Sequence, residues 1–151
     1  MRRSDRELSA SDAERILESG EYGVLCTVSK DAQPYAVPIS YAYSGGVIHI
    51  HCAKGVGKKI ENISNCDSVC FTVVGKTHVQ PEKFSTLYES MIVTGKIVPS
   101  ENPRESLLAL AKKYSPDFID QAYEHIRAAA GRVAAYTIIP EHISAKGKRE
   151  G

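Results

Sequence analysis

No stretch of the sequence approaches the roughly 20 consecutive apolar residues needed to cross a bilayer. Its opening, Met1-Arg2-Arg3-Ser4-Asp5-Arg6-Glu7, lacks the apolar core of a signal peptide. A cytoplasmic protein with no membrane partner is the expectation. There is no excess of one charge either: 19 Lys and Arg stand against 18 Asp and Glu, a formal net charge of +1. Nothing global therefore draws the chain to nucleic acid, and any charge-driven binding is local. Cys26, Cys52, Cys66 and Cys70 form no CxxC pair, and a chain of this size builds a core without disulfides, so reduced thiols are expected. Cys26 and Cys70 lie in apolar runs and read as packing residues. There is no internal repeat, no low-complexity segment and no GxSxG elbow, so hydrolase chemistry has no support.

With 151 residues the chain has room for one core, and a second would be cramped. A single domain over residues 1–151 is expected, ordered over about 11–146 with mobile ends. Ser11-Asp12-Ala13-Glu14 reads as a capping box opening a helix that stops at Gly20. Strand formers then run from Tyr22 to Val28, from Pro34 to Tyr43 and from Val47 to Cys52, joined by the turns Lys30-Asp31-Ala32-Gln33 and Ser44-Gly45-Gly46. A short helical segment from Gly55 to Asn62 leads to a fourth strand, Ser68 to Val74. The polar stretch Gly75 to Ser85 is long for a hairpin loop and reads as functional or as an insertion reaching a partner. A fifth strand spans Thr86 to Val98. Asn102-Pro103-Arg104-Glu105 places an N-cap, an N1 proline and an N3 glutamate in order, and Ser115-Pro116-Asp117 repeats the start signal for a second helix ending at Gly131. A sixth strand, Val133 to Ile139, is ended by Pro140. Strands joined by tight turns imply an antiparallel sheet, and six of them suffice for a small barrel with helices over its openings.

The chemistry concentrates in His49-Ile50-His51-Cys52-Ala53-Lys54-Gly55-Val56-Gly57-Lys58-Lys59-Ile60-Glu61-Asn62, a strand running through a glycine-rich basic loop into a helix. Gly55 and Gly57 let the backbone aim N–H groups at one point, the helix start adds partial positive charge, and Lys54, Lys58 and Lys59 supply ammonium groups. Such a loop suits a phosphate monoester, and equally a solvated surface turn. It is not a P-loop, because Cys52 occupies the place of that motif's first glycine. Nor is it the dinucleotide fingerprint, since Ile60 replaces the third glycine. Strand alternation points His49 and His51 one way and Cys52 the other. His49 reads as a hydrogen-bonded structural histidine, and His125 and His142 as surface residues. A metal site from His49, His51, Cys52 and His78 has the wrong spacing for zinc, so no metal is expected.

The run from Tyr22 through Val74, with Gln33-Pro34-Tyr35-Ala36-Val37-Pro38-Ile39-Ser40-Tyr41 and the His51 to Lys59 turn, resembles the FMN-binding split-barrel flavoproteins. This family contains pyridoxamine 5'-phosphate oxidase, and the resemblance is closest to its nitroimidazole-resistance (Nim) branch. Thr86 to Lys96 and Pro140 to Lys146 are similar to that branch's later segments. The resemblance implies a six-stranded antiparallel split β-barrel of mainly β class with helices, forming a homodimer with FMN at the subunit interface. It lays Val37, Pro38, Ile39 and Ser40 along the flavin ring and gives the phosphate to Lys58 and Lys59, with His51, Cys52, Ala53, Lys54 and Gly57 as close neighbours. It brings Tyr88 and Ser90 from the second subunit, and makes His51 a candidate proton donor beside the flavin. The implied function is an FMN-dependent oxidoreductase passing electrons from a nicotinamide donor to a small acceptor such as a nitro-aromatic. A non-catalytic carrier or sensor of flavin, haem or deazaflavin is the alternative, and pyridoxamine 5'-phosphate oxidase in the strict sense a second. The insertion from Asn102 to Ala130 either covers the substrate side or packs the barrel.

Overall fold

In a computed structural model the described residues are 3–55 and 57–150. The first helix, α1 (Ala10–Ser19), precedes β1 (Gly23–Val28), β2 (Pro34–Ile39), β3 (Ala42–Ser44) and β4 (Val47–Ala53). Then come α2 (Lys58–Asn65), β5 (Ser68–Gln80), β6 (Ser85–Pro99), α3 (Pro103–Tyr114), α4 (Ile119–Ala129) and β7 (Val133–Lys148). Among the described residues all seven strands belong to one antiparallel sheet in the order β2-β1-β5-β6-β7-β4-β3. The two edge strands, β2 and β3, are consecutive in the chain and joined only by Ser40 and Tyr41. Three residue steps reach at most about 11 Å, so the sheet curls until its edges approach each other there.

The sheet has seven strands and is not closed, which corrects the expected six-stranded barrel. The extra strand arises because the expected run from Pro34 to Tyr43 breaks at Ser40-Tyr41. The Tyr41 backbone N–H donates to the Tyr114 phenol oxygen at 3.0 Å, and that phenol faces the carbonyls of Glu21 at 2.6 Å and Tyr41 at 3.0 Å. Backbone groups that would continue a ladder are thus taken by a side chain of α3, and the chain leaves the sheet.

Leu25, Ile48, Ile50, Phe71, Val93 and Ile138 are fully buried on the inner face of the sheet, and Tyr41 of the β2–β3 link is fully buried with them. Tyr41 meets Phe71 edge to face, with centroids 5.0 Å apart at 72°. Ala13, Ile16 and Leu17 of α1 plug one side of this core, and the Tyr41 hydroxyl donates to the Leu17 carbonyl at 2.6 Å. Burying a residue such as Ile16 or Leu17 contributes about 1.5–3 kcal/mol.

Other boundaries moved for identifiable reasons. The cap of α1 is Ser9, whose hydroxyl accepts from the Asp12 N–H at 3.2 Å, so the capping motif lies two residues before the expected one. Gly75 to Ser85 is not an insertion loop: β5 and β6 continue through it as a hairpin arm, closed by a 3-10 turn at Pro81–Lys83 and by Phe84 at φ 45°. Pro140 does not end β7. The register passes from Thr94 opposite His142 to Gly95 opposite Pro140, leaving Glu141 as the extra residue of a bulge. Gly95 permits it, since a Cβ there would collide with the Ile139 carbonyl. The C-terminal segment is tied down by charge as far as Arg149. Arg149 contacts Asp12 at 2.5 Å and Glu89 at 2.8 Å, while Arg15 holds Glu89 at 2.9 Å. Burial pushes the Glu89 carboxyl up, but the two guanidiniums prevail and hold it below its ordinary range. The expected mobility of the extreme ends, residues 1, 2 and 151, lies outside the described residues.

Candidate functional site

Three of the expected pieces come to one end of the sheet. β2 is an edge strand paired only with β1, so its outer backbone groups from Val37 to Ser40 are free of any ladder. Val37 and Ile39 are half-buried against the core, while Pro38 and Ser40 are exposed. Pro38 is tolerated because the strand is an edge, and it discourages a further strand from adding there.

The second piece is the end of β4 and the turn after it. Gly55 at φ 77° and Gly57 at φ 103° adopt conformations that favour glycine, and nothing stands within 4 Å of where their Cβ atoms would be. Gly57 is the N-cap of α2 and has no side chain to satisfy the first turn. Gly55, Gly57, Lys58 and Ser64 line a shallow cavity of about 450 Å³ together with Ile60 and Glu61. Lys58 is exposed and pairs with Glu61 at 3.1 Å; Lys59 is half-buried, and Ala53 and Lys54 are exposed. The Lys54 backbone N–H donates to the Arg132 carbonyl at 3.0 Å, pinning the turn to the start of β7. Asn62, fully buried on α2, donates to the Thr27 hydroxyl at 3.0 Å and fixes the helix to β1.

The third piece is α3, which lies over the outer face of β4 and separates two cavities. On one side His49 is buried, with Nδ1 at 2.9 Å from the Ser106 hydroxyl and Nε2 at 3.0 Å from that of Ser44. Ser106 in turn meets Ser100 at 2.7 Å. Its cavity, about 850 Å³, is lined by Glu18, Glu101, Glu105, Lys112 and Lys113 among others. There the Lys113 ammonium sits 3.6 Å over the Tyr41 ring with no hydrogen-bond partner among the described residues, and burial pushes it down to about 8.

On the other side His51 is exposed and opens, with Ser40, into a cavity of about 590 Å³ under α3 and α4. The cavity walls strip part of the water from one side of the otherwise exposed ring, and this, then the charge of Lys59, holds the His51 imidazole below its ordinary value. Burial raises the Cys52 thiol against the opposing pull of Lys59, and its sulfur lies 3.9 Å from the Ala134 carbonyl. The positive charge of Lys59, at the start of α2, thus bears on the His51 ring.

One expected pair is not brought here. Tyr88 is half-buried and accepts from Arg6 at 3.4 Å, and Ser90 pairs with Val74 and Lys146. His51 is level, across β7, with the far end of β6 near Pro99. At about 3.3 Å per residue, Tyr88 and Ser90 lie on the order of 30 Å away along the strand. Within one chain they belong to a different region.

The arrangement is a lysine-bearing glycine turn at a helix start, a free strand edge and an open histidine beside an apolar cavity. The pyridoxamine 5'-phosphate oxidase family matches residues 9–147. The chain belongs to that family. As a member of the pyridoxamine 5'-phosphate oxidase family, it shares its fold with solved proteins of low sequence identity. A conserved hypothetical protein of Mycobacterium tuberculosis is 17% identical, with 96% of this chain and 88% of that one covered and a TM-score of 0.79. An FAD-binding protein of Mesorhizobium loti is 25% identical over 96% and 97% of the two chains, TM-score 0.66. A Bacteroides thetaiotaomicron protein named for 5-nitroimidazole antibiotic resistance is 19% identical over 93% and 86%, TM-score 0.67. No curated protein matches the sequence.

The sequence offered the Asn102 to Ala130 insertion as cover or as packing, and pointed to none of the residues by which α3 and α4 line the His51 cavity, notably Leu107, Leu110, Phe118, Ile126 and His125. Their helical spacing was a signal, but it is the same signal that core packing gives.

Proposed function

We propose that the chain binds FMN along the Val37 to Ser40 edge, with the phosphate in the Gly55 to Lys59 cradle, and works as a flavin-dependent oxidoreductase on a small aromatic acceptor. The observation that carries this reading is the glycine-walled, side-chain-uncapped start of α2, standing at the end of the strand whose exposed His51 shares a cavity with Ser40. FAD binding by the Mesorhizobium loti relative supports a flavin, and the small cradle favours the mononucleotide.

Bound flavin would supply two-electron transfer from a nicotinamide donor. The residues of this chain do the rest. Lys58 exchanges Glu61 for the phosphate, Lys59 adds a second charge, and the free backbone edge of β2 orients the ring system by hydrogen bonds. The α3 side of the cavity excludes water. Loss of hydration is the main cause that depresses His51 and Lys59 the second; an anion at Lys59 relieves that second part, so one of the ring nitrogens holds a proton more readily when the cradle is filled. Tyr88 and Ser90, remote within one chain, reach such a site from a second copy, and the reading therefore includes a homodimer. The free thiols Cys26, Cys52, Cys66 and Cys70 suit the cytoplasm. Among the described residues no helix is long and apolar enough to cross a membrane.

The test is the absorption spectrum of purified protein after FMN is added and unbound ligand removed, for wild type and a Lys58→Ala, Lys59→Ala double variant. A charge-assisted hydrogen bond from lysine to phosphate is worth about 1.5–3 kcal/mol, so affinity falls by about tenfold or more. Wild type that retains no flavin, or that shows a Soret band instead, overturns the assignment.

A further inference from the structure

Helix α4 poses a packing problem. An isolated helix of eleven residues is not stable in water, and α4 alternates an apolar stripe, Ala122 and Ile126 following Phe118, with Asp120, Glu124 and Arg127. Yet no residue of α4 is buried. Phe118 is 60% exposed, and the stripe faces the cavity of about 590 Å³ whose other walls are Leu107 and Leu110 of α3 and whose floor holds Ser40 and His51.

The chemistry of that cavity is one-sided. Among the described residues no Lys, Arg, Asp or Glu lines it. Its ionisable groups besides the Tyr114 phenol are two imidazoles, His51 on β4 and His125 on α4, and neither makes a hydrogen bond to another described residue. The volume lies within the range of small-molecule pockets, which combine apolar walls with a few polar groups that fix orientation.

We propose that this cavity is the substrate pocket, that it takes an uncharged aromatic molecule of one or two rings, and that His125 is a specificity residue which hydrogen-bonds the molecule's polar substituent opposite His51. This rests on the flavin reading for the position of the reacting ring, but the pocket is defined by its own walls. A phosphate ester is selected against, because among the described residues no Lys or Arg lines the pocket and its dianion would have at most an imidazole to pair with. The chain would thus differ in substrate from the activity for which its family is named. A small molecule rather than a partner chain is the occupant, since the apolar stripe faces a concavity that continues to the Ser40 edge of the cofactor site.

A matched pair of probes tests this: 4-nitrobenzyl alcohol and 4-nitrobenzyl phosphate, which share a ring and differ in charge. Each is titrated into FMN-loaded protein, read by the flavin absorption change and by calorimetry. The expected result is that the alcohol binds at least about tenfold more tightly than the phosphate. Ala122→Trp, which fills the cavity, should abolish alcohol binding, and His125→Phe should weaken it about tenfold through the missing hydrogen bond, both with flavin content unchanged. Equal or tighter binding of the phosphate, or wild-type affinity in both variants, overturns the proposal. So does a change of oligomeric state in Ala122→Trp, which would make a second copy the cover of α4. If wild type retains no flavin, the flavin assignment falls, and calorimetry with the same two probes still decides the pocket.

Discussion

His49 and His51 stand two residues apart on one strand, under one helix, and have opposite situations. His49 is enclosed, both ring nitrogens engaged by serines from β3 and α3. His51 is exposed and has no hydrogen-bond partner among the described residues. Alternation along β4 puts both on the α3 side. What separates them is the helix above: Ser106 near its start bonds the His49 ring, whereas Leu110 and Tyr114 further along line the cavity into which His51 opens. One histidine fastens the helix, and the other is available for chemistry.

The largest effect that would break this contrast is on stability. His49→Leu takes one of two partners from the buried Ser106 hydroxyl, which keeps only Ser100, and should cost about 2–3 kcal/mol, while His51→Leu should stay within about 0.5 kcal/mol; urea denaturation measures both. Equal costs would show that the two positions do not differ as described. Next, Tyr114→Phe leaves the Tyr41 N–H without its acceptor and frees α3 from Glu21, for about 1–2 kcal/mol. It should also loosen the Ser40-Tyr41 link, seen as faster amide exchange at Tyr41.

The smallest effect is on pH dependence. Burial is the first cause that holds both imidazoles below the ordinary histidine value of 6.5. The unfolded chain therefore takes up protons first as pH falls. Stability is full above about pH 6.5 and declines below it, until the folded histidines titrate as well. A His49→Gln variant, compared with its own value at about pH 7, should lose less on acidification to about pH 5 than wild type. A steeper loss would contradict the enclosed, neutral state of His49.

How much of this was legible in the sequence depends on whether a local rule or a distant partner decided each element. The start of α3 was legible because Asn102 caps it through its own side chain, at 3.2 Å from the Glu105 N–H. The glycine turn was legible because positive φ at Gly55 and Gly57 is a property of those residues. The β5–β6 arm was not: Lys76, His78, Glu82 and Lys83 are mostly exposed on both faces, so no alternation marks them as strand. Passage of β7 through Pro140 depends on Gly95 of the facing strand, and the tail's order depends on Glu89 and Asp12, far away in sequence. The His51 end of the site was visible from the turn that follows it. Its helical cover was legible only as one of two readings of the Asn102 to Ala130 insertion, because a stripe that lines a cavity and one that fills a core look alike in sequence.

The order of strands in the sheet also sets an order in time. β1 with β2, β3 with β4 and β5 with β6 are hairpins that assemble from neighbouring residues. β4 has a second ladder partner only in β7, which begins at Val133. During synthesis the β3–β4 hairpin, with the glycine turn beside it, therefore waits with an open edge until the residues from Val133 onward have emerged. Closing that long loop is the slow, entropically expensive step. Arrival of β7 is then the event that joins the two halves of the sheet and brings the cradle, the histidine and the free edge into one place.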